Sequence, residues 1–323
     1  MKRVLILMSV YNGQQYIREQ IDSLLSQKGV IVHILIRDDG SPKRESIEII
    51  SKYIASGAPI TLVCGCNLGF ALSFSALIKE AYEKFEDFDY YAFSDQDDVW
   101  LEDKLLSAVK KLDTVNGQVS DKPISYCSAT TLVDSNLVPL KRKSKKYTKF
   151  SITKSNCLLQ SCATGCTMLF NKKALYLYAT HMPSELYAHD MMMYQMCVYL
   201  GQVVYDTNSY ILYRQHGNNQ IGSNNAIGRM KKRLEYNKHA GTLLLQAQRL
   251  LELYKDQMRL IDIAIVSKLA FYKDNLFTKL SLLFDSKYRY KSMESNLFYF
   301  LKIILGGGIT SHINYSGANQ IYV

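Results

Sequence analysis

Three carboxylates fall within four residues at Asp95-Gln96-Asp97-Asp98, inside the stretch Phe93-Ser94-Asp95-Gln96-Asp97-Asp98-Val99-Trp100. An aromatic, strand-like run at residues 88–93 leads into them, and a helix-like segment begins near Leu101. Carboxylates this close repel one another unless something cationic sits between them. A hard divalent cation suits one or two carboxylates with phosphate oxygens and water completing its shell. The carboxyl end of a strand is also where open α/β sheets bind ligands. The competing reading is an acidic helix start, with Asp98 as the cap and Glu102 and Asp103 in the first turn. That reading explains Asp98 and leaves Asp95 and Asp97 without a role. The stretch suggests a metal–phosphate site and does not name a reaction.

The elements that must position these carboxylates follow from hydrophobic spacing. Residues 4–10 are a continuous apolar run of strand length, as in a strand buried on both faces of a parallel sheet. Helical spacing follows at 14–27, with Ile17, Ile21, Leu24 and Leu25 on one face. Further strands are expected at 30–36, 59–64 and 88–93, alternating with helices at 43–56, 71–85 and 104–112. Such alternation indicates βαβ units and a mostly parallel sheet. Every special turn then falls at the carboxyl end of a strand: Ser9-Val10-Tyr11-Asn12-Gly13, Asp38-Asp39-Gly40-Ser41, Asn67-Leu68-Gly69-Phe70 and the acidic stretch. Their convergence on one rim says more than any one of them.

Beyond residue 112 the pattern loosens. A strand is expected at 124–129, a glycine-bearing turn entering a strand at 163–170, and an amphipathic helix at 189–200 opening with His189-Asp190. One or two short strands at 205–213 end in Arg214-Gln215-His216-Gly217-Asn218-Asn219. From about Asn224 the chain changes to long helical patterns, at 243–258, 261–283 and 293–305.

At 323 residues and 48% apolar content the chain can bury a large core. The net charge of +10 and pI of about 9.1 suit nucleic acid, an anionic membrane surface or a phosphorylated substrate alike. Basic runs lie at 141–146 and 229–233. The seven cysteines do not follow paired zinc spacings and read as reduced, mostly buried thiols of a cytoplasmic protein. The opening apolar run is too short for a signal peptide and lacks a small-residue cleavage site, and no stretch approaches the ~20 apolar residues of a membrane span. Dinucleotide G-x-G-x-x-G, Walker A, H-E-x-x-H and G-x-S-x-G motifs are absent, as is a recognised nucleic-acid-binding motif.

The four strand-end motifs, in this order and spacing, resemble the family 2 glycosyltransferases of the GT-A fold. The Ser-Asp-Gln-Asp-Asp-Val-Trp form at 94–100 and the Tyr213-Arg214-Gln215-His216-Gly217-Asn218-Asn219 segment are similar to the rhamnosyltransferase-like branch. The likeness covers about residues 1–220. It implies a Rossmann-like α/β catalytic domain over 1–223, with a nucleotide-sugar half to about 112 and an acceptor half to 223, then a helical extension over 224–323.

The resemblance also implies roles. Asp39 would hydrogen-bond a pyrimidine base, with Ser9, Tyr11 and Asn12 lining the same pocket; an N-cap Asp and a core Tyr are the plain alternatives. Asn67 and Gly69 would lie near the nucleotide. Asp95 would sit near the ribose and Asp97 on Mg2+ or Mn2+, with Asp95 and His216 also near the metal. Arg214 offers a forked donor for phosphate. Asp190 falls at the catalytic base of the family's Glu-Asp pair, here His189-Asp190, so that the Glu is missing. Thr164, Gly165, Trp100 and His189 would face the acceptor.

The implied reaction is inverting transfer of a sugar from a nucleotide sugar to a hydroxyl of a growing cell-surface polysaccharide or lipid-linked glycan. L-Rhamnose from a dTDP donor is the first expectation, and a hexose from a UDP donor the alternative. A non-catalytic nucleotide-sugar or nucleic-acid-binding protein is the remoter one. The basic run at 141–149 could meet an anionic leaflet or a diphosphate-lipid, and the C-terminal helices a membrane surface or a second copy of the chain.

Overall fold

The computed structural model describes residues 1–117, 121–140, 152–186, 188–215, 242–290 and 293–305. His216 and both basic runs lie outside the described residues.

Four parallel strands form the first half of the sheet: β1 (Lys2–Val10), β2 (Val30–Asp38), β3 (Ile60–Cys64) and β4 (Tyr90–Ser94). Helices α1 (Ile17–Leu25), α2 (Glu45–Ala55) and α3 (Phe70–Lys84) connect them. The two-residue strand β5 (Val99–Trp100) and helix α4 (Lys104–Asn116) follow. The second half contains β6 (Ile124–Val133), β7 (Leu169–Asn171), α5 (Lys172–Thr180), α6 (His189–Leu200) and β8 (Gln202–Arg214). The eight strands run in the order β3-β2-β1-β4-β7-β6-β8-β5. β7 is antiparallel to β4 and β6, and β5 is antiparallel to β8, so the sheet is parallel in its first half and mixed beyond.

Side-chain alternation divides the interior into two cores. Leu5, Leu7, Leu35, Tyr91 and Phe93 point to one face, where α3, α5 and α6 cover them. Val4, Ile6, Met8, Ile34, Ile36 and Ala92 point to the other, against Ile17, Ile21 and Leu24 of α1 and Leu105 and Leu112 of α4. This sandwich explains why β1 reads as an unbroken apolar run.

Helix α6 differs from the amphipathic helix expected at 189–200. It is buried nearly all round, because the sheet lies on one side and another helix, α7 (Thr242–Tyr254), packs on it from outside. Helices α8 (Leu260–Ala270), α9 (Leu276–Phe284) and α10 (Met293–Leu305) follow. Leu250, Tyr254, Val266, Leu282 and Ile303 from these helices join the same core as α3 and α6. The single helical run expected at 261–283 is two helices. Asn275 between them caps α9, its Oδ1 accepting the Phe277 N–H at 2.7 Å.

Candidate active site

The ends of β1, β2 and β3 bring the first three motifs together. Asp39 is 2% exposed and its carboxylate is shared. Oδ1 accepts from the Arg37 guanidinium and from the Leu68 N–H at 3.0 Å, and Oδ2 accepts from the Gly69 N–H at 3.0 Å. Asp39 thus anchors the turn that starts α3. Arg37 also donates to the Ser73 hydroxyl at 3.1 Å and to the Cys66 carbonyl at 2.8 Å. Ser9 Oγ lies 2.6 Å from Ser73 Oγ, which ties the end of β1 to the same network. Gly40, at φ +75°, lets the backbones meet: a Cβ there would lie 2.7 Å from the Asn67 nitrogen. Asn12, also at positive φ, donates its N–H to Ser41 Oγ at 3.0 Å, and Ser41 Oγ donates to Asp38 at 2.6 Å. Tyr11 and Asn67 are exposed beside this network.

The fourth turn carries the acidic stretch. Gln96 faces back to the first turn, its Oε1 accepting the Tyr11 N–H at 2.9 Å and its Nε2 donating to the Tyr11 carbonyl at 3.0 Å. Asp95 and Asp97 are half-buried. Burial first, then the charges of Asp97 and Asp190, pushes the Asp95 carboxyl up to about 7. Asp98 is fully buried, and burial with the Asp95 and Asp97 charges pushes it well above the usual carboxylate range. The alternative of Asp98 as a helix cap does not hold. Helix α4 begins at Lys104, and Asp98 Oδ1 accepts the Arg214 N–H at 3.0 Å.

The acidic turn has a cationic and a thiol neighbour. The Cys166 Sγ and one oxygen each of Asp95 and Asp98 lie within 4.8 Å of one another. Lys104 is 1% exposed, with its ammonium 3.3 Å from the centroid of the Trp100 ring, and burial lowers its pKa to about 7. Trp100 itself is 2% exposed and packs in the same core as Ile17, Ile21 and Leu105.

Arg214, expected to present a fork to a phosphate, is 1% exposed at the end of β8. Its Nε donates to the Asp97 carbonyl at 2.8 Å, Nη1 to the Ser135 carbonyl and Nη2 to Glu19, and the guanidinium stacks 4.3 Å from the Tyr16 ring centroid. The residue holds the backbone of the acidic turn.

Asp190 opens α6. Its Oδ2 accepts the Gly165 N–H at 3.0 Å and its Oδ1 the Met191 N–H at 2.7 Å. Burial raises its carboxyl above the ordinary range, while these N–H donors pull it back. Gly165, which Asp190 holds, is followed by Cys166, whose Sγ lies within 4.8 Å of an Asp95 oxygen, and the Asp190 charge acts on Asp95. His189 turns inward. It stacks on Phe74 with ring centroids 3.9 Å apart and meets Phe93 edge-on at 4.7 Å. Burial lowers its pKa to about 3, so the imidazole is neutral. Among the described residues neither ring nitrogen has a hydrogen-bond partner. Thr164 is half-buried beside Gly165, its carbonyl accepting the Thr167 N–H at 2.8 Å.

Asp39, Asp95, Asp97 and Asp190 therefore gather on one rim, whereas Trp100, His189 and Arg214 lie beneath it. Arg37 and Gln96 bind these turns together, Lys104 and Cys166 are buried beneath the acidic one, and none of Arg37, Gln96 and Lys104 was singled out from the sequence. Arg37 adjoins Asp38-Asp39, and Gln96 lies inside the acidic stretch. Those positions are the available signals; Cys166 follows Thr164-Gly165 in the turn that resembles the acceptor-facing segment, and Lys104 carries none.

The α/β sheet carries its acidic turn at the end of its fourth strand, β4. The sequence profile of Glycosyl transferase family 2 matches residues 5–177, more than half of the chain, and the chain belongs to that family of glycosyltransferases. The chain is 29% identical over 238 residues to dTDP-rhamnosyl transferase RfbG of Shigella flexneri, covering 70% of this chain and 78% of that protein. It is 27% identical over 219 residues to glycosyltransferase RP339 of Rickettsia prowazekii, spanning 66% of this chain and 64% of that one. In fold it is similar to S. aureus TarS 1–349 in complex with UDP-GlcNAc, with a TM-score of 0.55 at 15% identity over 94% of this chain and 82% of that one. It is likewise similar to the mannosyltransferase PcManGT from Pyrobaculum calidifontis in complex with GDP-Man and Mn2+, with a TM-score of 0.53 at 14% identity over 94% and 86%. The fold is GT-A-like, with C-terminal helices packed on it.

Proposed function

We propose that this glycosyltransferase moves L-rhamnose from dTDP-rhamnose to a hydroxyl of a growing polysaccharide or lipid-linked glycan, inverting the anomeric carbon. The observation that carries the reading is the placement of Asp190. Its carboxylate is fixed by two backbone N–H groups, one of them that of Gly165, next to the Cys166 whose Sγ lies within 4.8 Å of an Asp95 oxygen. The likeness to a dTDP-rhamnosyl transferase supports the choice of sugar.

In the proposed reaction Asp190 accepts the proton of the acceptor hydroxyl as that oxygen bonds to the anomeric carbon and the bond to the nucleoside diphosphate breaks. The raised carboxyl of Asp190 brings its basicity toward that task. The Asp39 network and the exposed Tyr11 face take the base end of the donor. Residues 1–223 would form the catalytic unit, with the later helices as an extension. Asp95 and Asp97 offer hard oxygen donors, and burial first, then the Asp97 and Asp190 charges, pushes the Asp95 carboxyl up. The donor set fits Mg2+ or Mn2+. Held by Asp95 and Asp97, the ion would neutralise charge on the departing diphosphate.

The test is calorimetric binding of dTDP-rhamnose, UDP-glucose and UDP-galactose, each with Mn2+ and then with chelator. Metal-dependent binding of dTDP-rhamnose alone is expected. Selective binding of a UDP-sugar would discard rhamnose, and binding of none would overturn the donor site.

A further inference from the structure

The outer faces of α9 and α10 have an unusual composition for helices exposed to water. In α9, Leu276, Phe277, Leu280 and Phe284 are exposed, Phe277 at 79% and Phe284 at 83%. Their spacing places them along one stripe of the helix. In α10, Met293, Leu297, Leu301 and Ile304 recur at intervals of four, four and three residues, which is again one stripe, and Met293 is 87% exposed. Both helices also have an inward apolar face, through Leu282 and through Tyr299 and Ile303. Packing against the domain therefore explains only half of their hydrophobicity. A helix serving only as outer cover would be polar on its far side. The two helices pack together, and the Lys279 ammonium donates to the Ile304 carbonyl at 3.0 Å.

Basic side chains accompany the stripes. Lys273 and Lys287 are exposed just before and just after α9, and Lys279 lies within it. Two occupants could cover such a face, and the charge chooses between them. A second copy of this chain, itself at +10, would bring the same cations against each other. An anionic bilayer surface offers the opposite sign to the lysines and an acyl boundary to the Phe, Leu and Met side chains. Neither helix could cross a membrane: among the described residues none is long and apolar enough.

We propose that α9 and α10 form an interfacial membrane-docking surface. Phe277, Phe284 and Leu297 enter the acyl boundary of an anionic leaflet, while Lys273, Lys279 and Lys287 stay at its headgroups. The proposal deepens the reading of a lipid-linked acceptor but does not depend on it, because binding to vesicles is measured without donor or acceptor.

The experiment is co-sedimentation of the full chain with vesicles of phosphatidylcholine alone and of phosphatidylcholine with phosphatidylglycerol. The expected result is binding to the anionic vesicles that weakens as salt rises. It should fall at least tenfold in the Phe277→Asp/Phe284→Asp variant, with an unchanged thermal transition and unchanged dTDP-rhamnose binding. A second variant, Phe284→Trp, should show a blue shift of its emission on adding those vesicles. Absence of binding, equal binding to both vesicle types, or binding that survives the aspartate variant would overturn the proposal. So would light scattering that shows a dimer dissociated by that variant, since a second copy would then be the occupant. Loss of donor binding with vesicle binding intact would instead count against the transferase reading.

Discussion

The side-chain amide of Gln96 pairs with the backbone of Tyr11 through both of its ends, at 2.9 Å and 3.0 Å. The contact fastens the acidic turn after β4 to the turn after β1, eighty-five positions away in sequence. Gly13 accommodates it, since a Cβ at that position would stand 2.5 Å from Gln96 Oε1. The two turns carry the proposed base pocket and the proposed metal carboxylates, so Gln96 sets the distance between them. Gln96→Ala should remove two hydrogen bonds worth about 1–3 kcal/mol together. Gln96→Glu should keep acceptance from the Tyr11 N–H but set a carboxylate against its carbonyl. Both variants should raise KM for the donor more than they lower kcat, with Glu the worse. An unchanged KM in both would show that the turns are held by other contacts.

Asp190 gives a sharper kinetic expectation. General-base catalysis contributes on the order of 10²–10⁴ in rate, so Asp190→Asn should lose turnover by that factor while donor affinity survives. The base works only when ionised, and burial raises its carboxyl pKa. Activity should therefore rise with pH through an acid limb lying above the ordinary carboxylate value of about 4. A pH–rate profile flat down to that value, or near-normal turnover in Asp190→Asn, would remove the assignment.

Arg214 separates positioning from ligand binding. Its guanidinium serves the Asp97 carbonyl, the Ser135 carbonyl and Glu19 at once, a division that the single ammonium of a lysine cannot copy. Arg214→Lys should cost about 2–4 kcal/mol in unfolding free energy by urea titration, from charged hydrogen bonds to buried carbonyls. Glu19→Gln should cost under about 1 kcal/mol, because Glu19 is 55% exposed and water replaces much of the pair. If Arg214→Lys kept full stability and lost only donor affinity, the side chain would be a phosphate ligand after all.

These residues also mark how far the sequence could be read. The four strand-end turns were legible because each follows an apolar run of strand length and is built of Gly, Asn, Asp or Ser. Helix α5 was not. Asn171 both ends β7 and caps α5, its Oδ1 accepting from Ala174 N at 3.0 Å, so no polar loop separates strand from helix. Strand β5 is two residues long and has no period to detect. Asp190 was placed correctly at the start of a helix. Its histidine neighbour turns into an aromatic stack formed with Phe74 and Phe93, which spacing along the chain cannot reveal. The role of Arg214 likewise depends on Glu19, far away in sequence and brought near only by the fold.

Lys104 offers a test of the ground beneath the carboxylates. Its ammonium is buried over the Trp100 ring, has no hydrogen-bond partner among the described residues, and titrates near 7. A lysine in the unfolded chain titrates near 10.4. Between these values the unfolded chain binds the extra proton and the folded one does not, so this group's contribution to stability rises as pH increases from about 7 to about 10. Lys104→Met keeps the aliphatic stem and removes the titration. The stability difference between wild type and Lys104→Met should therefore move in favour of wild type as pH rises across that window. Below about 7 the Lys104 ammonium is charged in the fold as it is in the unfolded chain. There the difference should level off. Chemical denaturation at pH 6.5, 8 and 9.5 reads this directly. A difference that stays constant over the three pH values would mean that Lys104 keeps its proton throughout.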